Sequence, residues 1–455
     1  MTQAPAESVD ALIIGAGLAG LQAARRLQEK GRSVLVLEAR DTVGGRTKTI
    51  ELNGHPFDVG GQWTGPGQPR MSALIEELGL ETTPTYSTGK RLLRLGGRLS
   101  TYTGTIPKIN PWVLLIAQLS IWRIDRLCKQ VPTDNPWNAP KAAEWDQMTA
   151  LDYAKRSIRN RSVIAMVNAA VRVIFGSDLG ELSFLHFLFY VHSGGGLTKL
   201  IESHDGNQDR WIVGGAQQLC ERMAADLGSV ITDSPVREVR HDESSVTVVS
   251  DGREWTARRV IITVPIALAD RIRYVPPLPT KRDQLTQRVG MGATIKVLAL
   301  YDRPFWREAG YSGESVCSEG PVTVSFDDTT PGGQACLLSF ITGAPARGWS
   351  ERPPEERRDI VLSTLVDYFG EEAREPTHYH ECDWAKEPFI RGAPIATFPP
   401  GALTHFREAL RAPVGRIHWA GTETALESTG FMEGALESGD RVAEEVAQAL
   451  SSSTS

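Results

Sequence analysis

Apolar and polar positions near the start of the chain follow two different periods. A short apolar run at 11–14 leads into closely spaced glycines, an amphipathic stretch covers 21–30, and a second apolar run follows at 33–37. Short continuous apolar runs that flank an amphipathic stretch are typical of buried parallel strands joined by a helix. The opening of the chain therefore predicts a strand–helix–strand unit.

The region 81–207 has a largely helical pattern. The apolar stretch at 111–128 carries charged residues near its end, so we interpret it as a buried or surface-docked helix rather than a membrane span. The aromatic-rich segment at 183–191 favours a core helix, with pocket lining by Phe187 or Tyr190 as the alternative.

Strands are predicted for the following region, 208–290. Residues 236–239 and 246–249 alternate as a β-pair, and 260–265 form a continuous apolar run of the kind found in parallel sheets. The last part of the chain, 440–450, is predicted to be an amphipathic helix.

The first candidate chemistry lies in the glycines after the first predicted strand. Gly15 permits a tight turn, Gly17 lets the backbone approach a pyrophosphate, and Gly20 allows the helix to pack closely on the strand. Glu38 ends the second predicted strand 18 residues after Gly20, about where a carboxylate accepts hydrogen bonds from an adenosine ribose. This order of strand, turn, helix, strand and acid predicts a bound dinucleotide.

A second glycine-rich segment follows directly. Gly44 and Gly45 lie between Arg40 and Arg46, and a further glycine pair occurs at 60–61. Paired glycines beside an arginine offer backbone and a guanidinium to phosphate oxygens. A nicotinamide dehydrogenase does not need this second segment, which therefore favours a flavin dinucleotide.

A third segment near the end of the chain has the pattern of a strand at 416–420, a polar turn at 421–424 and a helix that begins after Gly430. The positive end of a helix dipole beside a flavin would stabilise the negative charge that the ring gains on reduction. Taken together, the three segments resemble the flavin monoamine oxidase family over nearly the whole chain.

The resemblance implies an α/β fold with two discontinuous units. A Rossmann-like FAD-binding domain would comprise residues 1–80, 208–290 and 385–455. A mixed α+β substrate-binding domain would comprise residues 81–207 and 291–384.

The resemblance also implies residue roles. Lys296 would hold a water against flavin N5, Trp384 would pack near the flavin, and Phe431 would form one wall of an aromatic cage. The substrate pocket would include Ile201, Gln208, Phe340 and Pro394. The FAD-binding positions would be Gly15, Gly17, Gly20, Glu38, Arg40, Gly44, Gly45, Arg46, Gly61, Gln62, Trp63, Val236, Gly421, Thr422, Glu423 and Met432.

Lys296 has a simpler alternative, because a lysine on an apolar strand commonly extends its amino group to the protein surface. Its flanking residues, Gly292 and the Pro-Phe-Trp at 304–306, match the family and favour the functional interpretation.

The chain departs from the family pattern at two neighbouring positions. Where the mammalian members have the cysteine that bonds to the flavin, five residues before Phe398, this chain has Ala393. We therefore predict non-covalent FAD. The next residue, Pro394, stands where the family commonly has an aromatic cage residue, which leaves Phe431 as the one ring of the cage.

The implied reaction is oxidation of an amine to an imine, which water converts to an aldehyde or ketone plus ammonia, while dioxygen is reduced to hydrogen peroxide. No acid occurs among the pocket positions, so an apolar or aromatic monoamine is the expected substrate. The main alternative is an L-amino-acid oxidase, with Arg172 or Arg391 as the partner of a substrate carboxylate. Another flavin oxidase or desaturase, a nicotinamide-dependent dehydrogenase and a non-catalytic flavin protein are further alternatives.

Composition and charge indicate the class of protein and its cellular compartment, but they do not indicate the reaction. The 455-residue chain has a formal net charge of −6 and 41% hydrophobic residues, so it indicates a globular protein without a basic surface for nucleic acid. Its five widely spaced cysteines indicate reduced thiols. Neither a secretory leader nor a membrane anchor is recognisable at the ends. We expect a cytoplasmic protein with an amine and dioxygen as partners, no membrane partner, and a homodimer as the candidate assembly.

Overall fold

The computed structural model describes residues 8–104, 110–201 and 206–452. The strands are β1 (Val9–Ile14), β2 (Val34–Leu37), β3 (Thr49–Leu52), β4 (His55–Asp58), β5 (Trp63–Thr64), β6 (Thr82–Pro84), β7 (Lys90–Leu95), β8 (Arg98–Tyr102), β9 (Arg210–Ile212), β10 (Val230–Ile231), β11 (Val236–His241), β12 (Val246–Ser250), β13 (Arg253–Ile262), β14 (Arg273–Val275), β15 (Gly290–Met291), β16 (Thr294–Tyr301), β17 (Tyr311–Cys317), β18 (Val322–Asp327), β19 (Ala335–Thr342), β20 (His378–Asp383), β21 (Ala396–Thr397) and β22 (Ile417–Trp419).

The α-helices are α1 (Leu18–Glu29), α2 (Pro69–Glu77), α3 (Pro111–Cys128), α4 (Ala142–Asp146), α5 (Ala150–Ser157), α6 (Arg161–Phe175), α7 (Phe184–Ser193), α8 (Leu197–Ile201), α9 (Gln217–Leu227), α10 (Thr280–Arg288), α11 (Phe305–Glu308), α12 (Ala344–Arg347), α13 (Pro354–Phe369), α14 (Ala402–Phe406) and α15 (Met432–Ser452). Short 3₁₀ turns occupy Pro136–Asn138, Ile266–Arg271, Trp349–Glu351, Glu371–Arg374, Trp384–Lys386, Arg407–Leu410 and Thr422–Thr424.

The larger of two main sheets has the order β10-β2-β1-β13-β12-β11-β14, and β22 also pairs with β13. The pairs of β1 with β2, of β1 with β13 and of β13 with β22 are parallel. The helices α1 and α15 pack together on this sheet, over a core of buried aliphatic side chains. The predicted strand–helix–strand unit and the Rossmann-like fold class are confirmed.

The second sheet has the order β20-β16-β19-β18-β17-β7-β8. Its pairs are antiparallel except for β17 with β7. The interior strand β16 is buried along its whole length, because it is paired with a strand on each edge and apolar clusters cover both of its faces. This strand carries Lys296.

Two expectations for the regions between the motifs were incomplete. The prediction that 81–207 is largely helical missed β6, β7 and β8, because β7 is stabilised by pairing with the distant β17 rather than by local pattern. The prediction of strands over 208–290 missed α9 and α10. The predicted β-pair of β11 with β12 is confirmed.

The apolar stretch at 111–128 forms α3, which begins with a cap from Asn110. Ile124 and Cys128 of this helix are buried, whereas Trp112, Leu119 and Trp122 are exposed. The helix therefore lies on the surface of the fold, as the docked interpretation expected. Within the described ranges, none of the helices is both long and apolar enough to cross a membrane.

Candidate active site

A long cavity begins where the parallel strands of the larger sheet end and reaches the second sheet at Lys296 and Phe340. Ile14, Leu37 and Thr263 line it at the carboxyl ends of β1, β2 and β13. This edge of an open parallel sheet is where ligands bind in doubly wound folds.

The turn after β1 forms one wall of the cavity. Gly15 adopts a φ of +108°, which favours glycine, and its N–H donates to the carbonyl of Leu37 at 2.8 Å. The hydroxyl of Thr263 donates to the carbonyl of Ile14 at 2.9 Å. A Cβ on Gly20 would lie 2.0 Å from the carbonyl oxygen of Gly15, so only glycine permits this approach of helix and turn.

The first turn of α1 suits an anion. Gly17 is the N-cap and provides no side chain to the free N–H groups, and no acid occurs in the first turn. Gly17 lies beside Gly44 in a parallel bridge, and the N–H of Gly44 donates to the carbonyl of Ala16 at 2.9 Å. The two glycine segments, which are separate in sequence, therefore lie side by side at the N-terminus of α1.

Glu38 lies at the end of β2 and lines the cavity. Its carboxylate accepts hydrogen bonds from the N–H of Ala16 at 2.8 Å and from the N–H of Arg40 at 3.0 Å. The guanidinium of Arg40 donates to the carbonyl of Gly45 at 2.9 Å, and Arg40 is not among the lining residues. Arg40 thus supports the second glycine segment from behind.

Arg46 lines the cavity and forms a bidentate pair with Glu423, at 2.5 and 2.9 Å, while donating to the carbonyl of Pro394 at 2.9 Å. Burial alone would favour the neutral form of Glu423, but Arg46 holds the pKa of this carboxyl below its ordinary value. Glu423 is 3% exposed and does not line the cavity, so its contact with the site is through Arg46.

The C-terminal segment closes another wall. The hydroxyl of Thr422 donates to the carbonyl of Phe431 at 3.0 Å and accepts from the N–H of Gly430 at 2.7 Å. These bonds hold Phe431 and the first residue of α15, Met432, against the cavity.

Lys296 is 1% exposed, so the surface alternative for this lysine is wrong. Its ammonium donates to Gln62 Oε1 and, at 3.3 Å, to the carbonyl of Gly60. It also lies 5.6 Å from the ring centroid of Trp63 and 5.8 Å from that of Phe340. Burial lowers the pKa of Lys296.

Two buried carboxylates oppose that shift in the pKa of Lys296, Asp328 and Asp58. The lysine is therefore a buried amino group with acidic partners, in a cavity lined by rings. Such a group is typical of functional sites.

Trp384 is 2% exposed, lines the cavity and donates from its indole N–H to the carbonyl of Val59 at 2.8 Å. Phe431 and Pro394 also line the cavity. The ring of Tyr190 lies 6.0 Å from that of Phe431. Of the two residues left open as pocket residues in 183–191, Tyr190 lines the cavity and Phe187 does not.

Most residues singled out from the sequence meet at this one cavity. Those that line it are Gly15, Gly17, Glu38, Gly44, Gly45, Arg46, Gly61, Gln62, Trp63, Gln208, Val236, Lys296, Phe340, Trp384, Pro394, Gly421, Thr422, Phe431 and Met432. Gly20, Arg40 and Glu423 stand behind this lining. The side chain of Ile201 lies outside the described residues.

Sequence reasoning missed several residues that shape the site. Thr263 directly follows the predicted strand run and bonds the glycine turn, so its position after a buried strand was a usable signal. Asp58 and Asp328 carried no local signal, because only the tertiary fold brings them near Lys296.

The cavity fits FAD. The glycine cradle and the helix N-terminus would hold the phosphates, and Glu38 would hold the ribose. The five cysteines are buried and free, and none lines the described part of the cavity. Ala393 is itself a lining residue, so FAD is held without a thioether bond.

The comparisons with known proteins agree with this geometry. The family model for flavin containing amine oxidoreductases matches residues 18–447. The putative flavin-containing monoamine oxidase AofH of Mycobacterium tuberculosis is 39% identical over 448 residues, which cover 98% of each chain.

Two solved structures share the fold. A putrescine oxidase bound to putrescine is 34% identical with a TM-score of 0.94, covering 98% of this chain and 100% of its own. The cyclohexylamine oxidase from Brevibacterium oxydans is 36% identical with a TM-score of 0.94 and the same coverage. The chain is therefore an FAD-dependent enzyme that oxidises an amine and produces hydrogen peroxide, and it belongs to the flavin containing amine oxidoreductases.

Proposed function

We propose that the substrate is a monoamine with an apolar or aromatic body, oxidised at the carbon that bears the nitrogen. The supporting observation is the charge of the cavity wall. Among the described lining residues, Glu38 is the only carboxylate. Because Glu38 already accepts from the backbone N–H groups of Ala16 and Arg40, the cavity offers no counter-ion to a second ammonium.

Apolar side chains form much of the cavity wall, and the ring centroid of Phe340 lies 5.8 Å from the amino group of Lys296. The apolar and aromatic lining residues include Val173, Ile174, Tyr190, Leu200, Phe340, Pro394 and Phe431. The amide side chains of Asn207 and Gln208 add polar atoms without charge. Such a wall desolvates an entering ammonium and so favours its neutral form, which alone has the lone pair needed for oxidation.

FAD, when bound, accepts the hydride equivalent from the amine carbon and passes the electrons to dioxygen. The chain contributes the surrounding groups. Lys296 gives two of its N–H groups to Gly60 and Gln62, which leaves one N–H for a water molecule in the cavity. We assign Lys296 the role of holding that water next to FAD, and Trp384 and Phe431 the role of walls beside the flavin and the amine.

Pro394 bears on the substrate class. A saturated ring at this wall provides a less polarising surface than an aromatic ring, so the amine is held mainly by Phe431 and the neighbouring Tyr190. We infer that shape and burial of the apolar body, more than a cage around the nitrogen, select the substrate.

The amino-acid oxidase alternative gains no support. Arg172 is paired with Asp178 at 2.6 Å and does not line the cavity, and Arg391 is exposed. Among the arginines that do line it, Arg46 is occupied by Glu423. Neither of the two candidate arginines, Arg172 and Arg391, is therefore placed to pair with a substrate carboxylate in the cavity.

The test is an anaerobic titration of the FAD-bound protein with benzylamine, phenylethylamine, cyclohexylamine, putrescine and L-amino acids, followed by the loss of oxidised-flavin absorption. We expect the monoamines to bleach the flavin and putrescine to do so poorly. Sustained turnover of putrescine with none of the monoamines would refute the proposed substrate class.

We also infer the division into an FAD-binding unit (1–80, 208–290 and 385–455) and a substrate-binding unit (81–207 and 291–384). This division is supported by the two main sheets, because all strands of the larger sheet belong to the first unit and all strands of the second sheet to the second unit. The exception is the small sheet in which β6 of the second unit pairs with β9, beside β5, of the first. A cytoplasmic location is supported by the five free thiols. A homodimer is a further proposal, and light scattering of the FAD-bound protein would decide it.

A further inference from the structure

Behind the cavity wall lies a buried carboxylate, Asp328, to which the proposed chemistry assigns no role. It follows β18 directly, is 4% exposed, and its N–H donates to the carbonyl of Cys336 at 2.9 Å. Its Oδ1 accepts a hydrogen bond from Nε2 of Gln62 at 2.7 Å. Gln62 is itself 2% exposed and lines the cavity.

Gln62 connects this carboxylate to the lysine. An amide side chain has one end that donates and one end that accepts. Its Nε2 donates to Asp328, and its Oε1 accepts from Lys296. If the amide were reversed, two donors would face each other at the lysine and two acceptors at the carboxylate. The carboxylate and the lysine therefore each favour the same orientation of the amide.

The other groups around Lys296 do not share this arrangement. Asp58 is buried, but its oxygens accept from the N–H of Ala216 at 2.9 and 3.1 Å and from the hydroxyl of Thr49 at 2.6 Å. The remaining titratable neighbours that act on the lysine are the thiols of Cys336 and Cys382. In the described part of the chain, the hydrogen-bonded path from a carboxylate to Lys296 runs through Gln62.

We propose that Asp328 is a positioning residue: as a buried anion it orients the Gln62 amide so that its oxygen faces Lys296, and it keeps the lysine protonated in the FAD cavity. The proposal rests on the role assigned above to Lys296. It adds a residue that touches neither substrate nor cofactor and acts through Gln62.

The test follows the oxidised-flavin absorption of the FAD-bound protein, without substrate, as the pH is raised. The transition that is absent from Lys296→Met reports the deprotonation of Lys296. Asp328→Asn keeps the shape but removes the charge. We expect Asp328→Asn to shift this transition downward by about one pH unit, because an anion near an ammonium favours the charged form. If the wild-type transition lies above the pH range of the titration, the variant should bring it within that range.

A charge swap provides the rescue. In Gln62→Glu combined with Asp328→Asn, the negative charge lies directly against Lys296, so the transition should return to the wild-type pH or above. Asp327→Asn is the matched control, because this neighbouring buried carboxylate bonds Arg307 and Trp306 instead. It should leave the transition in place.

The proposal is overturned if Asp328→Asn binds FAD and titrates like the wild type, if Asp327→Asn shifts the transition equally, or if the swap does not restore it. It is also overturned if no Lys296-dependent transition is seen in either wild type or Asp328→Asn. A failure of this proposal is distinguishable from a failure of the role assigned to Lys296. The latter would appear as unchanged rates of both half-reactions in Lys296→Met, whatever the titration shows.

Discussion

His186 should make the folded protein less stable in mild acid, and replacing it with phenylalanine should remove that loss. The side chain lies on α7, is 1% exposed, and has the rings of Phe175, Phe189 and Phe398 at centroid distances of 5.8, 6.4 and 4.8 Å. Neither ring nitrogen has a hydrogen-bond partner in the described part of the fold. Burial lowers the pKa of His186 from 6.5 to about 3.

The direction of the stability change follows from which state of the chain, folded or unfolded, binds the proton. Below the ordinary pKa of 6.5 the imidazole takes up a proton in the unfolded chain but not in the folded one, so stability is lost as the pH falls and the loss levels off near a pH of about 3. Each pH unit in this window corresponds to about 1.4 kcal/mol. Between pH 6.5 and about pH 5, His186 should therefore cost about 2 kcal/mol of unfolding free energy.

Asp58 changes the unfolding free energy in the opposite direction over an overlapping pH range. Burial raises the pKa of Asp58 to about 6, so the folded protein retains this proton to a higher pH than the unfolded chain does. Its contribution to stability increases as the pH falls through that range. The acid response of the wild type alone is therefore a sum, and only the comparison with a variant isolates His186.

The assay is reversible urea unfolding of the FAD-saturated protein at pH 7 and pH 5, followed by tryptophan fluorescence. The difference in unfolding free energy between His186→Phe and the wild type should change by about 2 kcal/mol in favour of the variant between the two pH values. A constant packing cost cancels in this comparison, and His186→Leu provides a second variant. His405→Phe, at an exposed position, should leave the pH dependence unchanged. Equal pH dependence of wild type and His186→Phe would refute the reasoning.

Three further predictions concern the cavity. Lys296→Met should slow flavin reduction or reoxidation roughly 100-fold while FAD stays bound; unchanged rates in both stopped-flow half-reactions would remove its role. Gly20→Ala should weaken FAD binding about tenfold or more, because its Cβ would lie 2.0 Å from the Gly15 carbonyl oxygen. Titration of the apoprotein measures this, with Gly348→Ala as the control in open space. Pro394→Tyr should lower the KM for benzylamine about two- to fivefold by adding a ring; an unchanged KM would show that this wall does not contact the amine.

The flavin-binding framework was predictable because its signals are local. The turn at Gly15, the packing of Gly20 and the acid at Glu38 depend on spacing within one strand–helix–strand unit, which the structure confirms. The second glycine segment and the final helix were recognised for the same reason. Residue type and short-range order are sufficient where a motif must approach a phosphate or begin a helix.

Side-chain positions behind the cavity lining, and strands paired over long range, were less predictable from the sequence. Arg40 and Glu423 were recognised within motifs, yet both stand behind the cavity lining, because their side chains pair with neighbours in the fold. The strand β7 was missed because it is stabilised by pairing with β17, more than 200 residues away in the chain.

The amino-acid sequence alone determined the cofactor class, the glycine cradle and the identity of the lysine. Only the tertiary structure decided the environment of Lys296. Its burial, its contact with Gln62 and its proximity to Asp58 and Asp328 combine residues from three separate parts of the chain. A short pattern records which backbone conformation a segment takes up. The charge state of a buried lysine depends instead on which distant anions the packed sheets bring beside it.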